Sequence, residues 1–232
     1  MSLNNRGLVR KISSQVSGHY IMREGSVKHY HIVGIGLLGI ILASGCAGNG
    51  ERIDLKVPQV SGGNEKIVAM NSATVVIQPF EDSRTDRSHL GARHHLWGEE
   101  SHFTLPNGTL GEATAQAFAD YLKGKGWNAT VGKGTGVDGA DITITGSLAD
   151  VDVNAKSSIG QTTLHAKNRL IVQVNNRADG SQVRETLTSS GINQVFWFEP
   201  SDAQELLNEL YNKNFEKFVT DTKLDGKILK VR

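Results

Sequence analysis

The chain has 232 residues, 38% of them hydrophobic and 21% charged, with only four prolines; this is a globular composition with enough apolar matter for a core, and it excludes an intrinsically disordered chain. The formal charge of +1 hides an asymmetry: residues 1–45 hold five basic groups against the single acid Glu24, so the 20 basic and 23 acidic groups that follow leave the remainder acidic. A folded part without a basic excess argues against DNA or RNA as a partner, and a single cysteine excludes an intramolecular disulfide or a cysteine-built zinc site.

A 12-residue apolar stretch runs from Ile32 to Ala43, with Arg23 and Lys28 before it and Ser44-Gly45-Cys46 after it. A bilayer core needs about 20 apolar residues as helix, so the stretch is too short for a span and has the layout of a cleaved secretory signal. The tetrapeptide Ala43-Ser44-Gly45-Cys46, following Leu42, resembles the lipobox of bacterial lipoproteins. That resemblance implies that the Cys46 thiol receives a diacylglyceryl group, that the peptide before it is removed and that the new amino terminus is acylated. One acyl chain anchors only marginally, at roughly 0.8 kcal/mol per buried CH₂, whereas several on one cysteine hold firmly. Residues 1–45 are therefore expected to be a lipoprotein signal, with Met22 the better start because Met22-Arg-Glu-Gly-Ser-Val-Lys28 is an ordinary basic leader. Ala47 resembles the class sorted to the outer membrane, facing the periplasm.

After Cys46, residues 47–66 are polar and Gly-rich, which predicts a flexible tether. Domain residues are expected from 67 to 232. Thr74-Val-Val-Ile-Gln-Pro-Phe80 is a β-branched run and predicts a strand. The polar segment 81–106 that follows, with four of the five histidines beyond Cys46, predicts a long loop. Thr109 with Glu112 forms a capping box, and Leu110, Ala113, Ala117, Phe118, Tyr121 and Leu122 recur at helical spacing, predicting a helix over 109–124 that Gly124 or Gly126 ends.

Trp127 to Val131 predicts a short strand. Ile142, Ile144 and Leu148 share one parity and Val151 and Val153 the other, so a bulge is expected near Ala149-Asp150. Leu164, Ala166, Leu170, Val172 and Val174 keep one parity in the next strand, and Ala178-Asp179-Gly180 supplies a turn to an antiparallel partner from Val183 to Ser190. A capping box at Ser201 and Gln204 starts a second amphipathic helix over 201–222, and Lys227 to Val231 predicts a closing strand. Two helices separated by a run of antiparallel strands define an α+β fold, a two-layer sandwich of a mostly antiparallel sheet with both helices on one face.

The order of these features resembles the YajG-like family of bacterial lipoproteins: the lipobox at Cys46, a strand running into Asp82-Ser-Arg84, then Leu90-Gly91, the helix from Thr109 to a Gly-ended turn, paired strands and a long C-terminal helix, over about residues 70–230. The resemblance implies an envelope lipoprotein domain with no catalytic residue and no cofactor.

Among chemical constellations, His89, His94, His95 and His102, with Glu99 and Glu100 among them, are candidate zinc or copper ligands, although a solvated polar loop is the simpler reading and the spacing matches no compact metal motif. Gly132-Lys-Gly-Thr-Gly136 leads into a strand rather than a helix, so it reads as a hairpin loop and not a phosphate cradle. Asp82 and Arg84 read as an ion pair or as a support for a loop backbone. Asp150 and Asp152 share a strand face without a partner for acid–base work. Val195-Phe-Trp-Phe198 reads as packing ahead of the second helix, with a partner surface as the alternative. No Gly-x-Ser-x-Gly elbow is present.

The sequence thus points to a non-enzymatic, lipid-anchored periplasmic module that binds an envelope protein or glycan, with metal binding by the histidine segment as the alternative. Replacing Cys46 by Ala is expected to abolish incorporation of labelled palmitate and to leave the unprocessed mass; unchanged labelling would refute the anchor.

Overall fold

A seventeen-residue strand, β7 (Ile142–Ser158), is the axis of the fold. In the computed structural model, which describes residues 50–56, 73–132 and 139–232, one edge of β7 pairs antiparallel along its whole length with β8 (Gln161–Asn176), which pairs in turn with β9 (Gln182–Val195). Its other edge is shared by three short parallel strands in succession: β2 (Thr74–Ile77) against Ile142–Ile144, β3 (Glu81–Asp82) against Ser147–Leu148, and β4 (Gly91–His94) against Val153–Lys156. Beyond them β6 (Asn128–Val131) continues the sheet from β2, while β5 (Glu100–Thr104) and then β1 (Glu51–Asp54) continue it from β4.

Two helices, α1 (Leu110–Gly124) and α2 (Pro200–Asp221), complete the α+β sandwich. Phe118 of α1 stacks on Phe215 of α2 at 4.7 Å between ring centroids and meets Phe218 edge-on at 5.1 Å. Each such aromatic pair adds about 0.5–1.5 kcal/mol to the burial of its area. Below them lie Ile142, Ile144, Leu148, Leu164, Leu170 and Val172, all buried. The Thr114 and Tyr211 hydroxyls share a hydrogen bond of 3.0 Å inside this core, and burial pushes the Tyr211 phenol up to about 12.

The parity switch in β7 is a bulge: the register against β8 shifts between Leu148 and Asp150, which leaves Ala149 as the extra residue. The Thr109–Glu112 box caps α1 as the sequence predicts, with Glu112 N–H donating to Thr109 Oγ1 at 3.2 Å, and Gly126 takes the left-handed conformation just past its end.

Three expectations, the 81–106 loop, the tether and the α2 cap, are corrected. Segment 81–106 is no long loop: β3, β4 and β5 lie within it, because Leu90, Ala92 and Phe103 supply buried anchors amid polar residues. The expected tether is partly ordered, since β1 pairs parallel with β5 and Leu55 is fully buried; Ile53 and Leu55 alternate with polar residues as a strand requires. Helix α2 lies within one residue of its expected bounds, but its cap is Glu199 and not Ser201, with Pro200 in the first turn and the Asp202 carboxylate accepting from Glu199 N–H at 2.7 Å; Gln204 instead exchanges two hydrogen bonds with the Lys56 backbone. The closing strand β11 (Ile228–Val231) pairs with β10 (Thr222–Asp225) in a separate hairpin. The leader 1–45, Cys46 and the hairpin loop after Gly132 lie outside the described residues, Gly132 itself being within them.

Gly91 allows β4 to lie against β7. Its φ is +126°, and a Cβ there would sit 2.0 Å from the Val153 carbonyl oxygen. Gly91→Ala is expected to cost about 2 kcal/mol or more through strain and clash, read as a fall in Tm of roughly 4 °C or more; an unchanged Tm would show that β4 is not held this closely.

Candidate functional site

The site grows from β3. Ser83 N–H donates to the Leu148 carbonyl at 3.0 Å, just before the bulge, and the chain then turns Arg84 inward, where it is only 7% exposed. Its guanidinium grips both oxygens of Asp82, Nε to Oδ1 at 2.9 Å and Nη2 to Oδ2 at 2.8 Å, while Nη1 donates to the His89 carbonyl at 2.8 Å and reaches the Val151 carbonyl at 3.4 Å. Asp82–Arg84 is thus both the ion pair and the loop support that the sequence left as alternatives. Hydrogen bonding from Arg84 holds the Asp82 carboxyl below the ordinary range. Asp86 tightens the same loop by accepting from Ser88 N–H at 2.8 Å and Ser88 Oγ at 2.6 Å.

The grip on the His89 carbonyl holds the backbone there, and the histidine ring stacks on His102 of β5 at 4.7 Å. Between β5, the 84–90 loop and the start of α1 lies a cleft of about 950 Å³. Phe80, Leu90 and Leu110 supply apolar lining, and Arg52, Arg87, His89, His102 and Thr104 supply polar lining. Asp82 is the lining's one acid, and Arg84 neutralises it. Among the described residues neither Arg52 nor Arg87 has a carboxylate partner. Both arginines escaped sequence reasoning, although the alternation Glu51-Arg-Ile-Asp-Leu55 signals a strand with Arg52 on its outer face.

The four candidate metal histidines do not converge. His94 and His102 flank the Glu100 carboxylate at 3.4 and 3.5 Å, His89 reaches Asp86 at 3.4 Å, and His95 bonds Ser101 Oγ at 2.7 Å on the opposite side of β5. Among the described residues no three His, Cys, Asp or Glu side chains are grouped to hold a metal ion. The His95–Ser101 pair has the atoms of a nucleophile and its base, but Ser101 has no exposed surface for attack.

Asp150 and Asp152 do share a face, where Lys167 lies 3.0 and 4.0 Å from them. Burial pushes the Asp152 carboxyl up, and Asn154 Nδ2 donates to it at 2.6 Å. The aromatic run divides: Phe198 packs toward Phe103 at 6.2 Å, under the Arg93 guanidinium at 4.2 Å, whereas Phe196 and Trp197 point outward.

No family model matches the chain, and no curated protein matches it; the YajG-like resemblance rests on motif order alone. Solved structures with a similar chain path include protein XCC0632 from Xanthomonas campestris, of family DUF330, with 9% identity and TM-score 0.47 over 73% of this chain and 93% of that one. The hypothetical protein CT253 from Chlamydia trachomatis has 11% identity and TM-score 0.38 over 64% and 95%. Lipoprotein GNA1162 from Neisseria meningitidis has 11% identity and TM-score 0.34 over 61% and 96%. Likenesses this distant carry no argument about activity.

Because the Asp82 carboxyl is held low, its ion pair stabilises the fold fully at pH values above the unfolded carboxylate range and loses that contribution as pH falls through its depressed folded value. Asp82→Asn is expected to cost about 3 kcal/mol at neutral pH, since it leaves a buried guanidinium without its counter-charge, and to flatten the acid limb of stability below about pH 5. Urea melts at neutral and acid pH measure both; an acid limb as steep as in the parent protein would remove Asp82 as its source.

Proposed function

We propose that this chain is a lipid-anchored lipoprotein of the cell envelope, held by acyl groups on Cys46 at the outer membrane and facing the periplasm, and that its domain acts by binding and not by catalysis. Its ligand is an anionic group carried by an envelope protein or glycan. The observation that carries this reading is the pair Arg52 and Arg87, two guanidiniums facing an open cleft of about 950 Å³ without a carboxylate partner among the described residues. A planar guanidinium presents donors in a fork that matches carboxylates and phosphates. The buried Asp82–Arg84 pair supports the role by fixing the loop that carries Arg87 without adding negative charge to the cleft.

The anchoring half rests on the residues around Cys46: the short apolar run, the basic residues before it and the small residues Ala43, Ser44 and Gly45. For the binding half, among the described residues Ser101 is buried and the four histidines do not gather into a metal-ligand group.

Crosslinking of the full-length protein in native envelopes, compared with an R52E/R87E variant, tests the cleft. Both side chains are surface groups, so the variant should keep its thermal stability while recovery of the specific partner falls roughly tenfold, the equivalent of about 1.4 kcal/mol. An identical set of crosslinked partners in the two proteins would refute the cleft as the binding site.

A further inference from the structure

Strand directions bring three connections and the start of β1 to the same end of the sheet. Strand β7 runs parallel to β4 and both finish there, at the β4–β5 turn and the β7–β8 turn; β9, antiparallel to β8, also finishes there before the chain passes to α2. The side chains at these connections are apolar and protrude: Trp97 is 87% exposed, Ile159 90%, Phe196 74% and Trp197 77%. With Leu96 they line one shallow apolar depression. The core does not need them: Phe198, in the same run, is the residue that packs inward.

Strand β1 starts at this end too. It runs parallel to β5, and Gly50 N–H donates to the Glu100 carbonyl at 2.8 Å, beside the turn that presents Trp97. Cys46 is four residues upstream, so a fully extended chain places it within about 14 Å of Gly50.

We propose that this apolar end is a bilayer-docking face, with Trp97, Ile159, Phe196 and Trp197 inserting into the interfacial layer of the membrane that holds the Cys46 acyl groups; the inference rests on the anchoring reading above. Tryptophan suits that layer, with a broad apolar ring and one polar N–H. The occupant is a lipid surface because the short link from Cys46 keeps this end within a few residues of the acyl chains. Charge at the rim is mixed, Arg93 and Lys156 against Glu51, Glu99 and Glu100, so insertion is apolar and insensitive to salt. Docking turns the lipid link into an oriented attachment.

The test uses the mature lipidated protein reconstituted into phosphatidylethanolamine–phosphatidylglycerol vesicles whose acyl chains carry bromine, a contact quencher of indole fluorescence. The chain has three tryptophans, and Trp127 is buried in the core. The expected result is a blue shift and loss of most emission from Trp97 and Trp197, while a W97S/W197S variant, which retains only Trp127, floats with the vesicles but is not quenched. Flotation without quenching of the parent protein would overturn the docking face and leave the anchor standing. A protein that neither floats nor incorporates palmitate would overturn both. Self-association of the parent protein that the variant loses, without quenching, would assign the patch to a second copy and refute the bilayer.

Discussion

Burying a guanidinium removes it from water, which costs several kcal/mol unless its donors find acceptors. Arg84 meets that demand with one carboxylate and two backbone carbonyls, and those partners come from three places: Asp82 on β3, the His89 carbonyl at the far end of a loop, and the Val151 carbonyl on β7. Each bond fixes a different element. The chain between residues 84 and 90 has almost no apolar side chain to hold it, Leu90 excepted, so the guanidinium takes the place of a local core. The cleft wall, the position of the His89 backbone and the approach of β4 to β7 all follow from it.

The bulge in β7 belongs to the same arrangement. An inserted Ala149 interrupts the ladder and increases local twist, and β3 ends on the Leu148 carbonyl just before it. Arg84 then meets the Val151 carbonyl just after it, while the β4 pairing begins at Val153. On the edge opposite β8, β3 pairs as far as Leu148 and β4 from Val153, and the Arg84 side chain enters the gap between these two parallel neighbours. Three short strands and one buried cation thus share a single edge.

Much of this was legible in the residues. Period-two alternation located β8, and its reversal between Leu148 and Val151 located the bulge, because in a strand buried on one face parity is fixed by the core. The Thr109–Glu112 box fixed the start of α1 because both partners are local. What could not be read depends on distant partners. Gln204 has the spacing of a capping residue, but the Lys56 backbone, 148 positions away, claims its amide. Segment 81–106 is polar because β4 and β5 form a narrow extension with one solvated face, so hydrophobic pattern alone reports a loop. The cleft was invisible for a further reason: Arg84 binds carbonyls that every residue possesses, and Arg52 reaches the cleft only because β1 joins β5.

The division of Val195-Phe-Trp-Phe198 shows how topology decides the use of identical chemistry. Four apolar residues in a row cannot all face a core on one side of an extended chain, since neighbours point in opposite directions. Val195 and Phe198 reach the core, and Phe198 is locked there by Phe103 and Arg93. Phe196 and Trp197 lie in the bend that follows β9 and both point away from the core, where they lean together at 5.9 Å. A solvated surface tolerates one such ring without consequence. It would be an association hazard to keep several at one end beside Trp97 and Ile159 with nothing to cover them; under the proposed anchoring at Cys46, the lipid surface is the cover, because only four residues separate Cys46 from Gly50.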